Sequence, residues 1–185
     1  MLRGLVSKVQ EYTKNPDPLA NAAGTIAIIV AGNQPFYPLY LHAIVGAAAW
    51  PAWLTLLSTP FFLMVPAIAR RNTLLGRALL PIAGVANTVL CVKLFGTASA
   101  VELFLLPCVL LGVILFRPRE RVMMVLVLMV PFACYFGLDW ILGPPMQIFS
   151  SSEYNSIIAV HAVSVAALIA LVGMLFANIL STKNL

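Results

Sequence analysis

The stretch LLPCVLLGVILFRPRERVMMVLVLMV, residues 105 to 130, sets two apolar runs on either side of a turn that holds three arginines and a proline. Taken to their natural limits, 98–116 and 121–142, the runs have the length and the lack of charge of helices that cross a bilayer. The basic turn between them is the kind a membrane hairpin keeps on one side. The same pattern recurs along the chain and predicts further spans at 19–43, 47–69, 77–96 and 156–180. The fold class expected is therefore an all-α integral membrane protein, a six-transmembrane helical bundle forming one domain over residues 1–185.

Composition points the same way, since 62% hydrophobic residues, 9% charged residues and a mean hydropathy of +1.00 lie outside the range of water-soluble domains. A β-barrel is not expected, because its strands alternate apolar and polar residues over about ten positions and these runs do not. Six spans of about 20 residues leave no length for a soluble catalytic domain.

The leading segment, MLRGLVSKVQEYTKNPDP, lacks an apolar core followed by a small-residue cleavage site, so no cleaved signal peptide is expected and the first span serves as the insertion signal. Leu2, Leu5, Val6, Val9 and Tyr12 recur at helical spacing with Arg3, Lys8, Glu11 and Lys14 between them. This predicts an amphipathic interfacial helix within residues 1–17, ended by Pro16 and Pro18. Arg3, Lys8 and Lys14 precede the first span; Arg70, Arg71 and Arg77 follow the second; Arg117, Arg119 and Arg121 follow the fourth; Lys183 follows the sixth. All lie on one side and only Lys93 lies toward the other. By the excess of positive charge in cytoplasmic loops, both termini are expected inside a bacterial inner membrane. The net charge of +5 is accounted for by this arrangement and by lipid headgroups, so no nucleic-acid partner is expected.

Cys91, Cys108 and Cys134 lie in apolar surroundings without CxxC spacing and read as buried small hydrophobes. The outer loop GPPMQIFSSSEYN, residues 143–155, reads as a connector, with Ser151 or Ser152 capping the last helix. Lys93 and Glu102 bracket the turn LFGTAS, where they are placed to pair with each other.

The stretch AGNQPFYPLYLH, residues 31–42, is the wrong chemistry for lipid. Asn33 and Gln34 bring amides, Tyr37 and Tyr40 bring phenols, and Pro35 and Pro38 free backbone carbonyls. Such groups are tolerated at membrane depth only against protein or a cavity. The expectation is a broken first span that lines a polar site in the outer half of the bundle. The ionisable residues His42, Glu102, Asp139 and His161 fall at that same depth, and Asn87 falls at the middle of the third span. Intramembrane ionisable groups are costly and usually face a partner or a cavity. The ligand-binding set expected is thus Asn33, Gln34, Tyr37, Tyr40, His42, Asn87, Glu102, Asp139 and His161, with His42 and His161 close together if the first and last spans are neighbours.

The layout resembles the six-helix N-terminal membrane modules of bacterial class III adenylate cyclases and of quorum-sensing histidine kinases that detect hydroxyketone signals. The stretches that carry the resemblance are VQEYTKNPDPLANAAG, GTASAVELFLLPC, the basic turn LFRPRER, and FGLDWIL. It implies a receptor anchor whose last helix continues into a signalling output. Here the sequence ends at FANILSTKNL, so the expectation is a free-standing relative or a sensor separated from its output.

Three functions compete at this stage. The first is a sensory module that binds a small amphiphilic ligand and passes a signal to a partner protein or through a homodimer. The second is a redox or metal protein, with His42 and His161 as axial ligands of one haem b, or with Glu102 and Asp139 as ligands of a divalent metal. The third is a structural subunit of a membrane complex. An enzyme is the least expected class, since neither GxSxG nor HExxH occurs, although the acidic and histidine residues leave open a metal-activated water.

Overall fold

The structure is a computed structural model that describes residues 2–183, and all regular structure among those residues is helical. Helix α1 (Leu2–Thr13) lies against the far end of a later helix, α4 (Thr59–Arg71). The Tyr12 hydroxyl donates to the Leu63 carbonyl at 2.8 Å, and the Arg70 guanidinium donates to the Tyr12 carbonyl while lying 4.8 Å from its ring centre. Asn15 donates to the Ala69 carbonyl at 3.1 Å. A helix therefore forms in the leading segment as expected, and its C-terminal end is pinned to the bundle.

Helix α2 (Pro18–Asn33) opens with proline in its first turn and with the Asp17 carboxylate accepting from the Leu19 amide at 3.0 Å. It breaks at Gln34–Pro35, where the sequence demanded it, and α3 (Phe36–Val45) continues as far as Gly46. Gly46 takes φ +62°, which turns the chain back. The return begins as a 3-10 helix over Gly46–Ser58, far longer than the few residues such helices usually hold. Its sequence gives the reason. Ala49, Ala52, Thr55 and Ser58 recur every third residue, all buried and all small, which is the eclipsed face of a helix with three residues per turn. The Thr55 and Ser58 hydroxyls each donate to the carbonyl three residues back, at 2.7 Å. The segment Pro18–Arg71 is thus 54 residues of helix folded on itself, with α2 against α4 and α3 against the 3-10 helix.

Asn72 alone joins α4 to α5 (Thr73–Phe95), capping it through the Leu75 amide at 3.0 Å. A Cβ at Gly76 would overlap Ala69, so glycine is what lets these two helices meet so closely. Helix α5 is the central pillar, packed on α2, α4, α6 (Leu105–Ile114) and α7 (Arg121–Leu142). The fourth span differs from its expectation. The chain leaves α5 through Gly96 at φ +78°, reverses at Ala100 in the left-handed region, and forms only short 3-10 turns before α6. Its apolar helix, Val101–Ile114, is shorter than the stretch 98–116 that the sequence marks out.

Helix α8 (Ser151–Lys183) is the longest. Its cap is Ser150 and not Ser151 or Ser152: the Glu153 amide meets the Ser150 hydroxyl at 3.4 Å and the Glu153 carboxylate accepts the Ser150 amide at 2.8 Å, a reciprocal capping box. Ile157, His161, Val165 and Val172 are its buried stripe. Four stretches, Pro18–Arg71, Thr73–Phe95, Pro118–Leu138 and Ser151–Ile179, are long and apolar enough to cross a membrane.

Candidate functional site

The polar residues of the broken first stretch converge on a cavity of about 610 Å³ bordered by α2, α3, the 3-10 segment, α4, α5, the turn before α6, α6 and α8. Its apolar wall includes Ile26, Phe62, Leu80, Phe104 and Leu168, and among the described residues no charged side chain lines it. Two hydrogen-bonded tracks stand along the wall. In the first, Gln34 Nε2 donates to Ser58 Oγ at 2.7 Å, and Ser58 lies 2.8 Å from Asn87 Oδ1. Ser58 has one proton for two acceptors, Asn87 and the Thr55 carbonyl. Both are satisfied together only when the Asn87 amide turns over, so that its Nδ2 donates to Ser58 and its oxygen faces the cavity.

The second track is at the end remote from the arginines. His161 is fully buried, and its Nδ1 lies 2.7 Å from the Ser99 carbonyl, which can only accept. Nδ1 therefore carries the proton, and Nε2 accepts from the Tyr37 hydroxyl at 2.9 Å. Phe104 meets the imidazole edge-on at 5.8 Å between ring centres. With its proton spent on His161, the Tyr37 oxygen is an acceptor toward the cavity that Tyr37 lines.

Of the residues named from the sequence, Asn33, Gln34, Tyr37, Tyr40 and Asn87 line this cavity. Asn33 and Tyr40 are exposed at its rim. His161 is a positioning residue behind Tyr37 and does not line the cavity. The expected pairing of His42 with His161 is not formed as a site. His42 is exposed, and five residues beyond Tyr37 it points about 140° around the helix from it. Glu102 sits half-buried in the 3-10 turn and is not part of the lining. The side chain of Asp139 lies outside the described residues. For the haem or divalent-metal reading, both ring nitrogens of His161 are already engaged, and the described residues hold no group of three His, Cys, Asp or Glu able to share an ion. The Lys93 ammonium donates to the carbonyls of Leu142 and Pro144, both at 2.9 Å, closing the C-terminal end of α7.

A cluster that sequence reasoning took only as topology markers closes the opposite end. Arg77 is fully buried and grips Glu120 with two bonds of 2.7 and 2.8 Å, and also donates to the carbonyls of Leu115 at 2.7 Å and Thr73 at 3.1 Å. Arg117 donates to Asp17 at 2.9 Å, and Asp17 lies 3.9 Å from Arg77. The Arg77 hydrogen bond leads the causes that hold the Glu120 carboxyl down at about 2, helped by the Arg117 amide. The signal for this network was the spacing of Arg117 and Glu120 across one proline turn. The signal for Ser58 was the triplet spacing of small residues after Gly46. Comparison with known proteins returns no matching family model, no matching curated protein and no matching solved structure.

Proposed function

We infer that the chain is a membrane-embedded sensory module that binds a neutral small amphiphile in the cavity beside Gln34, Tyr37 and Asn87. The observation that carries this reading is the cavity itself, about 610 Å³ of mainly apolar space with polar groups at fixed places. That size falls among those of small-molecule sites, roughly 300–1,000 Å³, and two hydrogen-bonded tracks in an apolar wall suit a ligand with an apolar body and one or two polar groups. The described lining residues carry no charge, which favours a neutral ligand, because a buried ion would go unpaired among them.

In this reading the bundle crosses a bacterial inner membrane six times with both termini on the cytoplasmic, arginine-bearing side. The exposure of Trp140 (91%), Ile141 (78%), Val122 (76%) and Phe136 (75%) along α7 supports it, since lipid accepts such a surface and water does not. The sensory role is what the resemblance of the layout to membrane modules of adenylate cyclases and histidine kinases implies. Helix α8, one wall of the cavity, is then the element that a signalling partner or a second copy would read.

The test is the melting temperature of purified protein against straight-chain alcohols and ketones, with carboxylates of equal length as controls. A site of this kind gives a rise that follows RT ln(1 + [L]/Kd) for the neutral series and little for the charged one. No rise with any compound overturns the reading in favour of a structural subunit.

A further inference from the structure

Both ends of the bundle are closely packed. At the α7–α8 end, the chain between those helices folds over α5: the Met146 amide donates to the Lys93 carbonyl at 2.9 Å and the Gln147 amide to the Leu94 carbonyl at 3.0 Å. Pro145 packs on Gly96, and Phe149 meets Phe95 at a tilt of 35° with ring centres 6.2 Å apart. Leu94, Phe95, Ser99, Val101 and His161 beneath are all at most 1% exposed. At the arginine end, Val65, Arg77, Leu115 and Val172 are each fully buried.

The lining is nevertheless not buried throughout. The residues that both line the cavity and stand exposed are Ile29, Gly32, Asn33 and Tyr40 on α2 and α3, and Val163 and Ala167 on α8. They belong to two facing walls. Gly32 has open space beside it, since a Cβ there would meet no atom within 4 Å. Asn33 makes no side-chain hydrogen bond to any described residue, and Val163 is 70% exposed. Val163 is 12 residues into α8, about 18 Å from its start, and 20 residues, about 30 Å, from its end. In a bilayer whose hydrocarbon core is about 30 Å thick, a gap at that height opens onto acyl chains and not onto water.

We propose that ligands reach the cavity sideways from the bilayer, through the gap between Gly32, Asn33 and Tyr40 on one side and Val163 and Ala167 on the other, so that the ligand is a neutral molecule already dissolved in the membrane. This rests on the ligand-binding reading above. The Asn33 amide then has a purpose at a depth where a lipid-facing amide is a liability: it offers the polar group of an arriving molecule a first hydrogen bond before Gln34, Tyr37 and Asn87 take over. An ionised molecule is rejected twice, by the hydrocarbon outside and by the uncharged lining within.

The test uses the full chain in vesicles of dioleoylphosphatidylcholine and the neutral fluorescent probe 1-aminoanthracene, followed by stopped flow with protein-free vesicles subtracted. Gly32→Phe and Ala167→Trp narrow the gap from its two sides at exposed positions where a larger side chain has room. Each is expected to slow both association and dissociation about ten-fold, the scale of overpacking a close passage, while the ratio of the two rates changes far less. Lys93→Met, which frees the 143–150 segment, leaves both rates as they are. Unchanged rates in both gap variants, or faster exchange in Lys93→Met, overturn the lateral route while leaving the binding site intact. Failure of the unaltered protein to take up the probe at all removes the ligand-binding reading and the route with it.

Discussion

The Tyr37 hydroxyl donates to Nε2 of His161 at 2.9 Å, tying together helices that lie 124 residues apart in the chain. Because Nδ1 of the same ring is committed to the Ser99 carbonyl, one imidazole joins α3, α8 and the turn before α6. Tyr37→Phe leaves Nε2 of a fully buried ring without a donor. An average interhelical hydrogen bond in a membrane protein is worth about 0.6 kcal/mol. An orphaned buried acceptor costs about 1–3 kcal/mol, and this larger figure applies because the ring is fully buried. The expected loss is in that range by denaturant unfolding in detergent. Tyr37→Phe/His161→Leu together should cost less than the sum of the single changes; strict additivity would mean that the two residues do not act as one unit.

Asn33 and Gln34 are adjacent amides with opposite surroundings, so replacing each by leucine should separate a structural role from a ligand role. Gln34 is 6% exposed and holds Ser58. Gln34→Leu should therefore lower the stability of the ligand-free protein by about 0.6 kcal/mol or somewhat more. Asn33 is exposed and holds nothing among the described residues. Asn33→Leu should leave unliganded stability unchanged or raised, since leucine partitions into lipid, and should weaken the ligand-dependent rise in melting temperature. Equal effects on unliganded stability from the two changes would show both amides to be helix joints.

Much of this could be read from the residues. The break at Pro35, the amphipathic first helix and the gathering of Asn33, Gln34, Tyr37, Tyr40 and Asn87 all follow from local chemistry, because a proline or an amide constrains its own neighbourhood. What could not be read is which side of a helix meets which partner. His42 and His161 looked equivalent by depth, but depth says nothing of azimuth, and five residues of helix turn His42 away from the position of Tyr37. Arg77 was legible as one more positive charge. Its burial depends on Asp17 and Glu120, which come from 60 residues before it and 43 after it; the Arg117–Glu120 spacing marks one local pair, but nothing in it points to Arg77. The long 3-10 helix was within reach, since small residues at every third position from Ala49 to Ser58 are visible in the sequence, but a membrane context invites the assumption of an α-helix.

The six-crossing arrangement can be tested by labelling single cysteines introduced into intact cells. Positions beside Arg71 and Arg119 should resist a membrane-impermeant thiol reagent, and positions beside Ser151 should react. The three native cysteines are no obstacle, since Cys91 and Cys108 are buried and Cys134 is partly so, and all three can be replaced by alanine in the parent. Reaction beside Arg119 from outside would invert or abolish the proposed topology.

The Arg77–Glu120 pair gives the stability of the bundle a pH dependence whose sign is fixed by geometry. Two guanidinium bonds and the Arg117 amide hold the Glu120 carboxyl at about 2, below its ordinary 4.5. The unfolded chain thus takes up the proton more readily than the folded one, and the contribution of this carboxylate is full above about pH 4.5 and lost as the pH falls from there through about 2. Glu120→Gln keeps the shape and removes the charge. It should be less stable than the parent at neutral pH, and the difference between the two should shrink as both are acidified through that window. Arg77→Met is the harsher change, because it removes both guanidinium bonds from Glu120, which keeps only the Arg117 amide and the Arg117 guanidinium at 3.9 Å, and leaves Asp17 with Arg117 alone. Salt separates this pair from an exposed one. Arg77 is shielded from water, so raising the ionic strength to about 1 M, where the screening length falls to about 3 Å, should leave most of the difference between parent and Glu120→Gln in place. A difference that vanishes in salt, or parallel stability curves for the two proteins between pH 4.5 and 2, would mean that the carboxylate is solvated and that the arginine end is held by packing around Leu115 and Val172 instead.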